Sequence, residues 1–262
     1  MTLHFLTSLA LLAACVSPVS ADSSLRGPRI DRVVNDVRVV DPVQGAHPAA
    51  RDELIPARCA ISTGLQSRAE LLFPERTLTR LGAETTLRFS GGARDLLLER
   101  GTVLLQVPAF HGGALIRTGS LTAAVSGATI LIELLPARSL KIVVLEGDLR
   151  LSVNEFLGDS MVLTPGKMLI TSPKVRRLPD PVDVDLRTLT KTSSLIDPVA
   201  FQGSSAVSAV LLPSMPLIAR TIERQARLIK SRTLLPTNLV ILGSGTNVVI
   251  PASGRTAVES RN

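Results

Sequence analysis

The segment Ile61 to Gly82, ISTGLQSRAELLFPERTLTRLG, predicts how this chain folds. Apolar and polar residues roughly alternate on both sides of Pro74-Glu75-Arg76, which is typical of two strands joined by a turn. Ala69, Leu71 and Phe73 are spaced to share one face of the first strand, because successive side chains of a strand point to opposite faces. The segment therefore predicts a β-hairpin with one buried face.

Short strand-like runs continue on both sides of this hairpin. The first extends from Ile30 to Val40, and from Thr85 to Ile170 such runs recur with turn residues about every 8–12 positions, as in sandwiches and barrels. Four of these runs open with a glycine, which tolerates the φ values of tight turns and bulges: Gly101, Gly127, Gly147 and Gly166. The predicted fold is mainly β, an antiparallel β-sandwich or roll of many short strands.

The sequence after these runs changes character. Pro173 to Asp185 contains three prolines and no periodicity, which predicts an extended tether. Asp185 is placed to cap a short helix from Leu186 to Thr192. A terminal β-hairpin is predicted around Gly243-Ser244-Gly245, with strands at Asn238–Leu242 and Asn247–Ile250.

A longer amphipathic helix is predicted to begin at Ser214 and Pro216 and to end near Arg232. Its predicted apolar face contains Ile218, Ile222, Gln225 and Ile229, and its predicted outward face contains Arg220, Arg224 and Arg227. Two interpretations of this C-terminal amphipathic helix remain open. Its apolar stripe docks on the β domain or on a partner, or the helix lies on a membrane surface.

The composition limits the class of function. Hydrophobic residues make up 45% of the 262, but the chain has six Phe and no Tyr or Trp, so the predicted core is aliphatic. Sugar-binding platforms and single-strand nucleic-acid grooves depend on aromatic stacking, and the sequence argues against both. The basic residues behind the formal net charge of +7 are scattered and accompany no nucleic-acid-binding motif. A solvated basic surface is predicted, and no nucleic-acid partner.

The N-terminal run Phe5 to Ala14 is too short to span a bilayer, which takes ~20 residues, and is typical of a secretory signal. Two processing sites compete. Signal-peptidase cleavage after Ala21 would make residues 1–21 a signal peptide, whereas the lipobox-like Leu12-Ala13-Ala14-Cys15 would place a lipid anchor on Cys15. The chain is predicted to be exported to the periplasm or cell envelope, with no transmembrane span after the leader.

No catalytic, cofactor-binding or metal site is predicted. Cys59 is predicted to be a small buried hydrophobe, because a catalytic thiol needs a nearby base. His47 and His111 show no metal-ligand spacing.

Carboxylates supply the one enzymatic alternative. An enzyme that hydrolyses a polysaccharide would need carboxylates in one cleft, and the candidates are Glu70, Glu99 and Glu146. The simpler interpretation is that these three side chains lie on the solvent-facing side of strands. Arg68 and Glu70, two residues apart on one strand face, are predicted to form a surface ion pair worth at most ~1 kcal/mol.

An ordered series of motifs resembles the FecR domain family. Its opening run corresponds to Thr63, Gly64, Ser67 and Arg68-Ala69-Glu70-Leu71, and Thr77-Leu78-Thr79-Arg80-Leu81-Gly82 corresponds to the next element. Later matches follow in the family's order: LLERGTVLL from Leu97, Ile116-Arg117-Thr118, VSGAT from Val125, VVLEGD from Val143 and VLTPGK from Val162. Two positions depart from the pattern: an Ala is inserted at Ala128, and Glu75-Arg76 replaces the usual Asp-Gly turn.

The resemblance implies a β domain over residues 30–175. The rest of the chain divides into a proline-containing tether with a short helix at 176–203 and a helix-plus-hairpin appendage at 204–262. Regulators of this family carry a sigma-factor-controlling segment and one membrane span ahead of the domain. This chain is expected to lack both, so that activity is not carried over.

The predicted function is a non-enzymatic binding, scaffolding or sensing module of a bacterial cell envelope. Its partner would be an unidentified envelope protein or polymer, and strand addition at an exposed sheet edge is the predicted mode of recognition. The alternatives are an envelope enzyme that acts on polysaccharide and a polyanion-binding surface protein whose affinity falls with salt.

Overall fold

The structure is a computed structural model that describes residues 27–90, 94–156, 158–196, 215–231 and 239–240. Its strands are β1 (Arg29–Val34), β2 (Val37–Asp41), β3 (Gly45–Pro48), β4 (Ala60–Thr63), β5 (Arg68–Leu72), β6 (Leu78–Leu81), β7 (Thr86–Phe89), β8 (Asp95–Val107), β9 (Ala114–Arg117), β10 (Leu121–Val125), β11 (Ala128–Leu135), β12 (Ser139–Glu146), β13 (Leu149–Val153), β14 (Ser160–Leu163), β15 (Lys167–Thr171), β16 (Val182–Val184) and β17 (Leu239–Val240). Its helices are α1 (Leu186–Thr192) and α2 (Met215–Lys230).

The strands form two sheets that share one strand. Sheet A has the order β1, β5, β6, β8, β11, β12, β15, β16, β17. Sheet B has the order β3, β2, β4, β7, β8, β9, β10, β13, β14. All pairings are antiparallel except β8 with β9 and β16 with β17. The predicted β-sandwich or roll of many short strands is confirmed.

Strand β8 joins the two sheets because it bends at Gly101, whose φ is +94°. Residues before the bend pair with β7 in sheet B, and residues from Gly101 onward pair with β11 in sheet A. The prediction placed a strand boundary at Gly101, but the strand continues through it in a new direction. Glycine tolerates a positive φ because it has no Cβ atom, which explains why a glycine occupies this bend.

Every other crossing from one sheet to the other also passes through a residue with positive φ. The non-glycine corners are Asn35, Gln66, Glu84 and Phe110, with φ between 51° and 65°. The glycine corners are Gly112, which shares the crossing from β8 to β9 with Phe110, and Gly127, Gly147 and Gly166. Ile30 to Val40, predicted as one strand, is for this reason two strands in two sheets, broken at Asn35.

The hairpin predicted from the opening segment is present as β5 and β6. Arg76 adopts a φ of 66° in its turn, and the Phe73 amide donates a 2.9 Å hydrogen bond to the Thr77 carbonyl. Ala69, Leu71 and Phe73 all point into the main core, as the alternation predicts. Aliphatic side chains from both sheets dominate this core, and the Phe73 and Phe89 rings lie 6.2 Å apart within it.

A second apolar cluster lies on the outer face of sheet A. Leu104, Leu131 and Val143 of the sheet pack there against α1 and α2, to which Leu189 and Ile218 belong. The docking interpretation of the amphipathic helix is therefore confirmed for the part that the structure describes. Asp185 caps α1 as predicted, because its side chain accepts hydrogen bonds from the amides of Arg187 and Thr188.

The tether prediction for Pro173 to Asp185 is wrong in its last third. Val182–Val184 forms β16 and pairs with β15, and an ion pair of 2.8 Å joins Lys167 to Asp183. Leu178 is also buried in the main core. Apolar burial at these positions outweighs the local effect of the prolines. In the predicted terminal hairpin, Leu239–Val240 pairs with β16 in parallel, and the second strand lies outside the described residues.

Candidate functional site

The edges of the two sheets differ in how they are protected. β1 is covered by the 52–55 segment, since the Ile30 amide donates to the Glu53 carbonyl and the Asp52 amide donates to the Ile30 carbonyl. β3 ends in Pro48, which has no amide hydrogen to donate. Among the described residues, β14 pairs only with β13, so its other side is an open edge of sheet B.

The backbone of β14 has a defined orientation at this edge. Val153 of β13 donates its amide to the carbonyl of Asp159, which lies directly opposite in the register. Antiparallel ladders alternate between hydrogen-bonded and non-hydrogen-bonded pairs. Leu163 and Met161 therefore bond to β13, whereas the amides and carbonyls of Ser160 and Val162 point away from it. The open edge offers two residues of backbone for an added strand.

The side chains beside this edge are apolar and basic. Val162 is 48% exposed on the outer face of sheet B, and Arg150 lies opposite it on β13. Arg150 is exposed and forms no ion pair or side-chain hydrogen bond within the part of the chain that the structure describes. Among the described residues, no helix covers this outer face, in contrast to that of sheet A.

A cleft of about 500 Å³ opens at one end of the sandwich. Leu134 and Val175 contribute apolar surface, while Glu155, Lys174 and Arg176 contribute charges of both signs. Its volume falls in the range of small-molecule sites, ~300–1,000 Å³, but its charges do not converge on one ligand chemistry.

Glu70 and Arg80 form a buried ion pair across β5 and β6. Arg80 Nε donates to Glu70 Oε2 at 2.7 Å, and the exposed fractions of the two side chains are 0% for Arg80 and 1% for Glu70. Arg80 also donates to the Leu195 carbonyl at 2.9 Å. Burial raises the pKa of Glu70, and the Arg80 charge only partly opposes that effect. The predicted surface pair of Glu70 with Arg68 is wrong, because the cross-strand neighbour Arg80 lies directly opposite Glu70.

The three predicted glutamates do not form one cleft. Glu70 is on β5 and Glu146 on β12, four strand spacings apart in sheet A, or roughly 19 Å at ~4.8 Å per strand. Glu99 is in the half of β8 that belongs to sheet B and bonds Arg88 at 2.8 Å. Glu146 accepts a hydrogen bond from the Thr129 hydroxyl at 3.1 Å. Of the three, only Glu99 lines the cleft of about 500 Å³, and Glu70 and Glu146 are too far apart to act on one glycosidic bond.

The remaining predicted positions have ordinary surroundings. Cys59 is a free thiol, 1% exposed in the main core, and burial raises its pKa. His47 lies 2.8 Å from a Glu53 oxygen, and the exposed His111 contacts the Ala109 carbonyl. Within the described ranges, no group of three His, Cys, Asp or Glu side chains is placed to hold a metal ion.

The two predicted processing sites, Ala21 and Cys15, lie outside the described residues. No helix among the described residues combines the length and apolar content that crossing a bilayer requires.

Comparison with known proteins identifies one region of this chain. Residues 60–150, about a third of the chain, match the family model FecR, described as FecR protein. No curated protein matches the chain.

Two crystal structures, both of candidate anti-sigma factors from Parabacteroides distasonis ATCC 8503, are similar in part. The first has 19% identity and a TM-score of 0.43, and the match covers 50% of this chain and 62% of that one. The second has 13% identity and a TM-score of 0.40, and the match covers 60% of this chain and 90% of that one. The chain thus spans less than two thirds of the first structure. The likeness rests on the sequence match: the segment 60–150, from β4 to the start of β13, is similar to the FecR family.

Proposed function

We propose that this protein is a non-enzymatic, exported binding or sensing module of a bacterial envelope, and that it captures an extended segment of a partner protein at the β14 edge. The observation that carries this proposal is the outward orientation of the Ser160 and Val162 backbone on an edge without a strand partner among the described residues. An added strand gains main-chain hydrogen bonds there, and alternate side chains provide the specificity.

The surroundings of β14 suit such a partner. A strand added beside β14 places every second side chain on the outer face of sheet B, next to the exposed Val162. An apolar residue there buries the Val162 side chain, and Arg150, one strand further, attracts an acidic neighbour. Export and envelope location are supported by the secretory character of Phe5 to Ala14, with processing after Ala21 or at Cys15.

The test uses Val162→Pro in the full-length chain. Proline removes an amide that points away from β13, so the β13–β14 ladder keeps its hydrogen bonds while the open edge loses a donor and gains a ring. A photo-crosslinking residue at Ser160 is expected to capture one protein in the producing cell. That adduct should disappear in Val162→Pro and persist in the matched control Val162→Thr.

Purified partner then gives the quantitative result, an affinity at least about tenfold weaker for Val162→Pro than for Val162→Thr. A photo-crosslinker at Leu65, which is 75% exposed and far from β14 in sequence, should capture nothing. Equal capture by both Val162 variants contradicts strand addition. Polysaccharide turnover that disappears in Glu146→Gln contradicts the non-enzymatic assignment.

A further inference from the structure

Helix α2 carries a basic face opposite the face that docks on sheet A. At 3.6 residues per turn, Arg220, Arg224 and Arg227 fall within about 60° of one another around the helix axis. The buried residues Ile218 and Gln225 lie on the opposite side of the helix. All three arginines are exposed. The basic face therefore points directly away from the β domain.

These cations have no partners within the described part of the chain. Arg220, Arg224, Arg227 and the exposed Lys230 take part in no ion pair or side-chain hydrogen bond there. Elsewhere in the described residues, exposed arginines such as Arg38, Arg88 and Arg117 lie within 3.1 Å of a carboxylate oxygen. The exposed Glu223 lies at one flank of this face, about 40° from Arg227 around the axis, and forms no ion pair with the arginines, so three positive charges against one negative remain available to an external anion.

Docking fixes the direction in which this face points. Ile218 packs in the apolar cluster on sheet A. The Gln225 amide group donates to the Val184 carbonyl at 2.7 Å, and its oxygen accepts from the Leu186 amide at 3.3 Å. Because both contacts hold the helix, the three arginines lie on one outward face before any ligand binds.

We propose that the basic face of α2, defined by Arg220, Arg224 and Arg227, docks on a surface of anionic lipid headgroups. Guanidinium groups bind phosphate oxygens through two parallel hydrogen bonds. The three arginines extend over roughly 10 Å of a convex helix, which a flat array of phosphates contacts at once and a single small anion does not.

An exposed apolar residue distinguishes a lipid surface from a soluble polyanion. Leu217 is 41% exposed and lies at the flank of the basic face, about 60° from Arg220 around the axis. A bilayer offers hydrocarbon beneath its phosphates, whereas a charged polymer in water does not. This mode differs from that of an ordinary interfacial helix, which buries its apolar face in lipid, because the apolar face of α2 packs on sheet A.

The test measures binding of the full-length protein to vesicles of phosphatidylglycerol and phosphatidylcholine in equal parts, with pure phosphatidylcholine as the neutral reference. Binding to the anionic vesicles only is expected, and it should weaken as salt rises. Each cation near such a surface contributes about fivefold to the affinity. The triple variant Arg220→Gln, Arg224→Gln, Arg227→Gln is expected to lose on the order of 100-fold.

A matched control separates local from overall charge. Arg76→Gln, Arg100→Gln and Arg138→Gln together remove the same formal charge from exposed positions on the β domain and should retain the binding. Leu217→Ser should weaken binding to vesicles but leave binding to polyphosphate unchanged. Equal losses in the two triple variants overturn the proposal. So does equal binding to neutral vesicles, or binding to polyphosphate without binding to anionic vesicles.

Discussion

At the scale of single residues, Glu70 and Arg80 join the FecR-like β domain to the C-terminal segment. Both side chains are buried, and Arg80 reaches from β6 to the carbonyl of Leu195. Taking two charges out of water is expensive, so such a pair adds little net stability, but removal of one partner leaves a buried charge without its counter-ion. We therefore expect the pair to act more on the specificity of this contact than on its strength.

Replacement of Arg80 tests this account of the pair. Arg80→Met is expected to lower the free energy of unfolding by about 3–5 kcal/mol, because Glu70 is left buried and unpaired. The double variant Glu70→Leu, Arg80→Met should recover most of that loss, since it removes both charges. Urea denaturation measures both values. A double variant as unstable as the single one contradicts the account.

At the scale of structural elements, the bend in β8 determines that two sheets form. Thr85 lies beside Gly101, and its hydroxyl accepts a hydrogen bond from the Thr102 amide at 3.0 Å. A Cβ atom built on Gly101 would overlap both the Cα atom and the hydroxyl of Thr85. The close approach of the β6–β7 corner to β8 therefore requires glycine for space as well as for φ.

Gly101→Ala is expected to lower the free energy of unfolding by about 2–5 kcal/mol, from an unfavourable positive φ and from overpacking against Thr85. Gly45→Ala is the matched control. Gly45 has a φ of +88°, close to the +94° of Gly101, but a Cβ there meets nothing within 4 Å. The control should lose only ~1–2 kcal/mol. Thermal denaturation that shows equal losses for the two variants would exclude the steric contribution.

At the scale of the whole molecule, the two sheets present different outer faces. Sheet A is covered by α1 and α2, whereas sheet B leaves Arg150 and Val162 exposed. A cleft of about 190 Å³ remains between sheet A and α1, lined in part by Glu133, Lys141 and Leu189. The open edge of β14 and the basic face of α2 lie on different elements, so the proposed protein partner and the proposed lipid surface would use different residues.

The pH dependence of the free energy of unfolding reports on the burial of the Glu70 carboxyl group. Because burial raises the pKa of Glu70 above its ordinary value of 4.5, the folded state binds a proton more tightly than the unfolded state does. The Glu70 contribution to stability is therefore fully present below pH 4.5 and is lost as the pH rises through the folded-state pKa. The stability of wild type relative to Glu70→Gln should fall over that window. A difference that stays constant or rises with pH contradicts the direction of the shift.

Much of the fold follows from local patterns. Alternation at Ala69, Leu71 and Phe73 predicts the buried face correctly, because the side-chain period of a strand is fixed by its backbone. The Asp185 cap is also local, since it involves amides two and three residues away. The pairing of Glu70 with Arg80 was accessible from the same hairpin, because a turn centred on Glu75 places these two residues opposite each other.

Other features involve residues far apart in sequence. The open edge at Val162 depends on which strand lies last in the sheet. The local sequence of β14 does not distinguish an edge strand from a central strand. The contact between Arg80 and Leu195 spans 115 positions. Local patterns carry no information about such separations.

The sequence by itself determined the strand content, the aliphatic core, the FecR motif series and the two faces of α2, because each depends on the order and chemistry of neighbouring residues. Only the tertiary structure decided that the chain crosses between two sheets at positive-φ corners and that sheet A is covered while the β14 edge is open. The physical reason is that burial is a property of the packed molecule. The same Glu70 that alternation places on a solvent face becomes buried when a segment more than 100 residues away packs over it.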